Sequence, residues 1–562
     1  MTGRLRPEEV QQLAKRKTPA RAVRPAVGRA RLDEARFGDI KGALGTIRHD
    51  ELPPRHSWRG RLKALLAIMG PGLIVMVGDN DAGGVSTYAQ AGRNYGTTLL
   101  WTLVLLIPVV IVNQEMAVRL GAVTGVGQAR LIFERFGRLW GAFSVGGLFL
   151  VNFLTIVTEF IGITLALEYL GVNRYLIVPV AAVGLIGMTT TGSFRNWERF
   201  MYVFVVSNLL VIPLALLSHP RIGPIVHGTF VPGVRGGVTS TSALLIIAIV
   251  GTTVAPWQLF FQQSNVIDKR ITPRWINYER ADTIIGSLIV VVGAAALMIT
   301  MAFAFQGTAV KGQFVDAGHM ARSLAQHDGH LAGVLFAIVL FDASIIGAQA
   351  VTLSTSYALG DTFGVRNSLH RSFREAKAFY AAFSAFTLLA AAIVLIPHAP
   401  LGVVTTAVQA FAGILLPAST IFLLMLCNDK QVLGPWVNRG WLNAVAAVIV
   451  GALLGLSAVL VVTTVFPSVD VVKLSLFLAA ALALALVGFG LSSLRTALKR
   501  KAEQEEAVQP VARETWTMPP LALLEKPIWS PARRVAMYAL SAYLLLAASL
   551  LVVKAIQIGL GS

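Results

Sequence analysis

Two short segments of this sequence place polar groups where nearly everything around them is apolar. The first reads Gly70-Pro71-Gly72-Leu73-Ile74-Val75-Met76-Val77-Gly78-Asp79-Asn80-Asp81-Ala82-Gly83-Gly84 and continues Val85-Ser86-Thr87-Tyr88-Ala89-Gln90. Two carboxylates and an amide fall at the middle of a stretch long enough to cross a bilayer, where each buried charge is costly. The Gly83-Gly84 pair lets the backbone leave helical geometry. Carbonyls released from an unwound helix can bind a cation where they line a cavity. The second segment reads Ile249-Val250-Gly251-Thr252-Thr253-Val254-Ala255-Pro256-Trp257-Gln258-Leu259-Phe260-Phe261-Gln262-Gln263-Ser264. Pro256 lacks an N–H and clashes with the preceding turn, so it breaks or kinks the helix. Gln258, Gln262 and Gln263 follow near one side of the half-helix beyond the break.

The elements that must position these residues are membrane helices. Of 562 residues, 55% are apolar and only 14% charged, with a mean hydropathy of +0.67. Soluble domains carry about 25% charged residues, so this composition excludes a string of soluble domains, a disordered chain and a fibre. Candidate spans lie near 64–92, 97–118, 142–168, 175–192, 200–217, 240–264, 282–305, 333–359, 377–397, 401–427, 441–466, 472–494 and 534–557. Residues 1–61 form a basic arm with no membrane-length apolar run, read as cytoplasmic and largely disordered. Residues 62–427 make a core of ten spans, 428–494 hold two more, 495–533 form a second cytoplasmic segment, and 534–562 carry the last span.

Lys and Arg set the orientation. With the arm inside and the spans alternating, 40 of the 48 Lys and Arg fall on the inner side. The net charge of +19 therefore reports topology and not nucleic-acid binding. The first span then runs outward and the sixth inward. Interrupted helices at matching places in two inverted halves point to a secondary-transporter site at the bilayer midplane. Other polar residues in the spans are Glu115, Glu159, Asp342 and Gln409, and Glu115 has Arg119 four residues on as an ion-pair partner. Cys427 is the single cysteine. No His pair, phosphate loop or nucleophile motif occurs, so no enzyme is expected.

The same residues resemble the NRAMP divalent-metal transporters. Gly70-Pro71-Gly72, Asp81-Ala82-Gly83-Gly84 and Gln90-Ala91-Gly92 align with the family's first-helix Gly-Pro-Gly, Asp-Pro-Gly-Asn and Gln-Ala-Gly, and Ala255-Pro256-Trp257-Gln258-Leu259 with its sixth-helix Met-Pro-His-Asn-Leu. Thr352-Leu353-Ser354-Thr355-Ser356-Tyr357-Ala358, Leu416-Pro417, Asn428-Asp429-Lys430 and Val437-Asn438-Arg439 resemble later signatures. The resemblance spans about residues 64–465. It implies an all-α membrane fold of two inverted five-helix repeats like LeuT, with helices 1 and 6 broken and extra C-terminal helices, 12–13 in all.

By that resemblance the metal would meet Asp81 and the Thr252 carbonyl; Asp79 and Asn80, which the family pattern lacks, add polar groups beside Asp81. The family's Asn and Met ligands are replaced by Gly84 and Ala255. Loss of the thioether disfavours soft metals. A wide oxygen site suits Mg²⁺, which gives up water reluctantly and usually keeps several molecules. The pattern is most like the NRAMP-related magnesium transporters. Asn80, Gln258, Gln262, Gln263, Glu159 and Gln409 are the expected pathway residues. Glu159 matches a carboxylate of the family's proton relay, while Ile156 and Gln262 stand where that relay has an Asp and a His. Neither titrates, so transport uncoupled from protons is expected. The expected protein is a monomeric importer of Mg²⁺ and Mn²⁺ in a prokaryotic plasma membrane, with a cytoplasmic N-terminus, no cofactor and no nucleic-acid partner. The alternatives are a proton-coupled Mn²⁺/Fe²⁺ transporter and a sodium-coupled organic-solute transporter of the same fold.

Overall fold

The computed structural model describes residues 34–306 (55 and 56 excepted), 316–396, 401–466, 469–503 and scattered positions between 513 and 549. The first expected span becomes three pieces: α1 (Trp58–Ile68), α2 (Pro71–Val77) and α3 (Ala82–Tyr95). Gly96, with φ +65°, ends α3, and a 3-10 turn at Gly96–Leu99 leads into α4 (Leu100–Thr124). Then come α5 (Gln128–Phe136), α6 (Arg138–Tyr169), the 16-residue α7 (Arg174–Thr189), α8 (Phe194–Ser207), α9 (Val211–Leu217) and α10 (Ile222–Phe230). The second half begins with α11 (Ser240–Thr253) and α12 (Pro256–Asp268), the two parts of the sixth span, and α13 (Ile276–Ala304). It continues with α14 (Ala317–Asp328), α15 (His330–Phe363), α16 (Lys377–Val394), α17 (Leu401–Cys427), α18 (Lys430–Leu433), α19 (Gly440–Val465) and α20 (Val471–Glu503).

Ten helices among the described residues are long and apolar enough to cross a membrane, and α1 with α2, bent by 54°, makes an eleventh. Helices stand at twelve of the thirteen expected spans, with α1, α2 and α3 together making the first, and the 16-residue α7 is the one too short to be among the eleven. The thirteenth, 534–557, is described only at scattered positions up to 549. Helix α20 continues to Glu503, beyond the boundary expected at 494. Helix α15 packs along α6, α11 along α17, and α13 against both α2 and α3.

Local chemistry explains the breaks. Gly70 has φ +146°, a conformation that L side chains rarely adopt, and Pro71 starts α2 at its first position. The Asp282 carboxylate accepts hydrogen bonds from the N–H groups of Gly70 (3.0 Å), Gly72 (2.7 Å) and Leu73 (3.2 Å), satisfying the exposed donors of that helix end. The chain unwinds again over Gly78–Asp81, and Asp81 caps α3. In the sixth span only Val254 and Ala255 leave helical geometry before Pro256 starts α12.

The arm departs from the sequence expectation. Residues 1–33 lie outside the described residues, but residues 34–54 are folded. They carry a 3-10 turn (Glu34–Arg36) and an antiparallel hairpin of β1 (Ile40–Gly42) and β2 (Gly45–Ile47), with Ile40 opposite Ile47. Ile40 and Ile47 are buried. Gly42 lies so close to α1 that a Cβ there would come within 2.1 Å of the Ala67 carbonyl oxygen. Four arginines grip the segment. Arg195 donates to Gly42 O (3.0 Å), Arg199 to Ala43 O (3.4 Å), and Arg270 to Ala35 O (2.8 Å) and Asp39 O (3.0 Å). The arm's own Arg36 donates to Asn367 O and Oδ1 at 3.2 and 3.0 Å. Low hydrophobicity suggested disorder; these exact-fit backbone contacts, which composition does not encode, order it.

Candidate functional site

The unwound turn between α2 and α3 carries Asp79, Asn80 and Asp81, all at most 2% exposed. Asp81 Oδ1 accepts from Gly84 N (2.7 Å) and from Gln409 Nε2 of α17 (3.3 Å). Gly83 makes the second bond possible, because a Cβ there would sit 1.6 Å from Gln409 Nε2. A Cβ on Gly84 would lie 2.8 Å from Asp79 O and 2.9 Å from Thr252 Oγ1. The two glycines therefore lie inside the first turn of α3 and admit neighbours, while the unwinding falls just before them. That corrects their expected role as the point of unwinding.

Asp79 faces the other broken helix. Its Oδ1 accepts from Gln258 Nε2, and its backbone carbonyl accepts from Thr252 Oγ1 at 3.3 Å. Asp79 Oδ2 is buried without a hydrogen-bond partner. Gln258 Oε1 in turn accepts from Ala255 N (3.1 Å) and Gln114 Nε2 (3.3 Å). The Thr252 carbonyl has Pro256 four residues on, which has no N–H to donate to it. Ala255, 2% exposed, presents a methyl group at the break. Asp79, Asp81, Gly84, Thr252 and Ala255 thus stand at or beside the two breaks.

The expected pathway residues divide. Glu159 on α6 joins the centre: Oε2 accepts from Ala82 N (3.1 Å) and Oε1 is buried and unpartnered. Gly347 of α15 lets Glu159 and Asp81 share this space, since a Cβ there would meet Glu159 Oε2 at 2.6 Å and Asp81 Cβ at 2.9 Å. Gln258 and Gln409 each bond a carboxylate. Asn80 instead donates to Val290 O of α13 (3.2 Å). Gln262 donates to Glu279 Oε1 (3.1 Å) and Thr283 Oγ1 (3.4 Å), and Gln263 to Val126 O (2.7 Å). Ile156 is fully buried. Glu115 pairs with Arg119 (3.0 Å) as expected, and also with Arg280 (2.5 Å).

Sequence reasoning missed Gln114, which carries the Gln258 link onto α4, and a fully buried ion pair at the foot of the first broken helix. Lys269 Nζ donates to Glu198 Oε1 (2.6 Å) and to the Ile68 and Met69 carbonyls that end α1 (both 2.7 Å). The other Glu198 oxygen accepts from Ala43 N of the hairpin. Both charges sit at span ends, where the sequence reads as ordinary solvated loop; no local signal marks them as a pair.

Chemically the centre offers carboxylate, carbonyl and amide oxygens. Among the described residues, no three His, Cys, Asp or Glu are gathered closely enough to hold a metal ion by themselves. Asp79 Oδ2 and Glu159 Oε1, buried without a donor, are costly as they stand, a cost that a cation or a proton would offset.

Residues 72–463 fit the family described as natural resistance-associated macrophage protein-like (Nramp). The divalent metal cation transporter MntH of Latilactobacillus sakei is 27% identical over 432 residues, covering 72% of this chain and 91% of that protein. MntH of Staphylococcus aureus is 26% identical over 423 residues, covering 71% and 91%. Among solved structures, the Eremococcus coleocola manganese transporter superposes with a TM-score of 0.61 at 21% identity, covering 79% of this chain and 96% of that one.

Proposed function

Because this chain belongs to the Nramp family, and is thus a membrane transporter of divalent metal ions and not an enzyme, we propose that it admits a partly hydrated Mg²⁺, with Mn²⁺ as a second cargo, and moves it without a coupled proton. The observation that carries the reading is the make-up of the two breaks. Gly84 has no side chain to reach the ion, Ala255 puts a methyl group where a soft sulfur ligand would sit, and the remaining donors are all oxygen. Asp81 and Asp79 supply charge, the Thr252 carbonyl one further ligand, and Gln258, Gln409 and Glu159 orient the carboxylates or the waters between them. Mg²⁺ bound through one or two carboxylates and several waters is its usual protein chemistry.

The uncoupled mechanism rests on Ile156, a buried hydrocarbon, and on Gln262, an amide bonded to Glu279. Neither can carry a proton. No proton gradient is needed, since a divalent ion entering down 100 mV gains about 4.6 kcal/mol. The basic bias of the inner loops and the bacterial relatives support a prokaryotic plasma membrane with the arm in the cytoplasm.

A second reading, proton-coupled Mn²⁺ transport, is favoured by the unpartnered Glu159 oxygen beside Asp81 and by the relative named as a manganese transporter. Reconstitution in liposomes separates the two. Mg²⁺ and Mn²⁺ entry would be followed with an internal pH dye. Mg²⁺ flux at constant internal pH is the expected result. Mn²⁺ flux with acidification and no Mg²⁺ flux would establish the second reading.

A further inference from the structure

The arm-bearing face holds a second polar feature, which shares no residue with the two breaks. A cavity of about 300 Å³ opens between α4 and the start of α19, and four guanidinium groups, of Arg119, Arg280, Arg439 and Arg513, line it against one carboxylate, Glu115. That carboxylate is already shared: Oε2 takes Arg119 at 3.0 Å and Oε1 takes Arg280 at 2.5 Å. Arg119, whose side chain is 3% exposed, is further fixed by the Trp436 carbonyl and by Asn438 Oδ1, both at 2.5 Å. Neither Arg439 nor Arg513 has an acidic partner among the described residues. Arg513 lies over the Trp436 ring at 4.3 Å. Burial, followed by the neighbouring Arg439, Arg280 and Arg119, pushes the Arg513 pKa below its usual value. Arg439 is also the N-cap of α19, whose first turn has no side-chain cap.

The surplus of converging cations calls for an anion with more than one acceptor oxygen. Guanidinium forks match phosphate oxygens in pairs, and an uncapped helix start adds N–H donors to the same side. The wall of the cavity identifies the source. Trp441, 63% exposed, and Leu442 lie one and two residues inside the membrane helix that begins at Gly440, at the depth where aromatic side chains anchor to headgroups. Ile111 and Val112 of α4 complete an apolar side beside the charged one. Basic pockets between helices on the inner face bind phospholipid headgroups in this way.

We propose that this cavity is a binding site for a phosphate ester, occupied in the membrane by the headgroup of an anionic phospholipid whose acyl chains lie against Trp441.

The full chain, purified in neutral detergent, would be titrated with phosphatidylglycerol, with phosphatidylcholine and with inorganic phosphate. Native mass spectrometry would count retained lipid, and the thermal midpoint would be read in parallel. Wild type should retain one phosphatidylglycerol per chain and bind it at least tenfold more tightly than phosphatidylcholine. R439A/R513A should lose that preference. R439K/R513K, which keeps the charge without the forked geometry, should hold part of it. R366A/R374A removes two exposed charges elsewhere on the same face and should bind as wild type does. Stabilisation by inorganic phosphate that also displaces the lipid would keep the phosphate site but overturn its lipid source. Equal binding by wild type and R439A/R513A, or equal loss in R366A/R374A, would overturn the site itself.

Discussion

Gln258 donates its amide to Asp79 while its carbonyl oxygen receives the Ala255 N–H, so one side chain ties the break in the first helix to the break in the sixth. The two interruptions are therefore linked directly as well as adjacent. A glutamine suits the task because it offers a donor and an acceptor at once. Gln258→Leu should leave Asp79, the Ala255 N–H and Gln114 without this partner and lower the initial rate of Mn²⁺ uptake in liposomes about tenfold, consistent with a loss of about 1–3 kcal/mol. Asp81→Asn should abolish uptake. A normal rate in Asp81→Asn would move the ion away from this centre.

The proposed metal preference rests on Ala255. Ala255→Met supplies a polarisable sulfur at the break, and the ratio of Cd²⁺ to Mg²⁺ uptake should rise at least several-fold. An unchanged ratio, with the protein folded by its thermal midpoint, would sever Ala255 from selectivity.

Gly83 is a steric requirement of the Gln409–Asp81 contact. Gly83→Ala places a methyl group on the Gln409 amide and should reduce both uptake and thermal midpoint. Shortening the partner relieves the clash, so Gly83→Ala/Gln409→Ala should recover the midpoint but not the uptake. Recovery of neither would mean that the methyl group clashes elsewhere.

The Lys269–Glu198 pair should be a stability element. Both side chains are wholly buried, and removing one partner strands the other charge, at a cost of about 3–5 kcal/mol. Lys269→Met should lower the thermal midpoint markedly. Lys269→Met/Glu198→Gln should lie between that variant and wild type, because no net charge is then left behind.

His370 gives stability a pH dependence. Its ring stacks on Phe194 at 5.7 Å, its Nε2 lies 3.0 Å from the Asp268 carbonyl oxygen, and burial pushes its pKa down. The unfolded chain therefore takes the proton first, at about pH 6.5. The contribution of His370 is whole above that pH and is lost as pH falls toward the lower folded value. Thermal midpoints measured from pH 7.5 to 5.5 should fall less steeply in His370→Asn than in wild type. Parallel slopes would show that the imidazole is not responsible.

Much of this was legible because charge is scarce. In a chain this apolar, Asp79, Asp81 and Glu159 stand out against their neighbours, and Pro256 announces its own break. Positions along a helix are thus readable from the sequence, but side-chain direction is not. Gln258, Gln262 and Gln263 look equivalent on one half-helix, yet they bond respectively to Asp79, to α13 and to the loop after α4. That division depends on which helix packs where. The same limit hid the folded arm. Ile40 and Ile47 sit among residues of both charges, and only the shape of the surface made by α1 and α8 gives them somewhere to go.

The hairpin has a mechanical consequence. Its backbone is bonded to Glu198 and Arg195 on the α8 side and rests on Ala67 of α1, while Arg270 beyond α12 and Asn367 beyond α15 hold its preceding turn. Four helices thus share one small clasp at the foot of the first broken helix. Any swing of α1 away from α8 must either carry the clasp along, tearing it from the arginines, or leave it behind, tearing it from Ala67. The hairpin is therefore a strut whose attachments count the moving parts: a pair of probes at Leu44 and Arg199, and another at Leu44 and Arg61, would report which of the two attachments yields first.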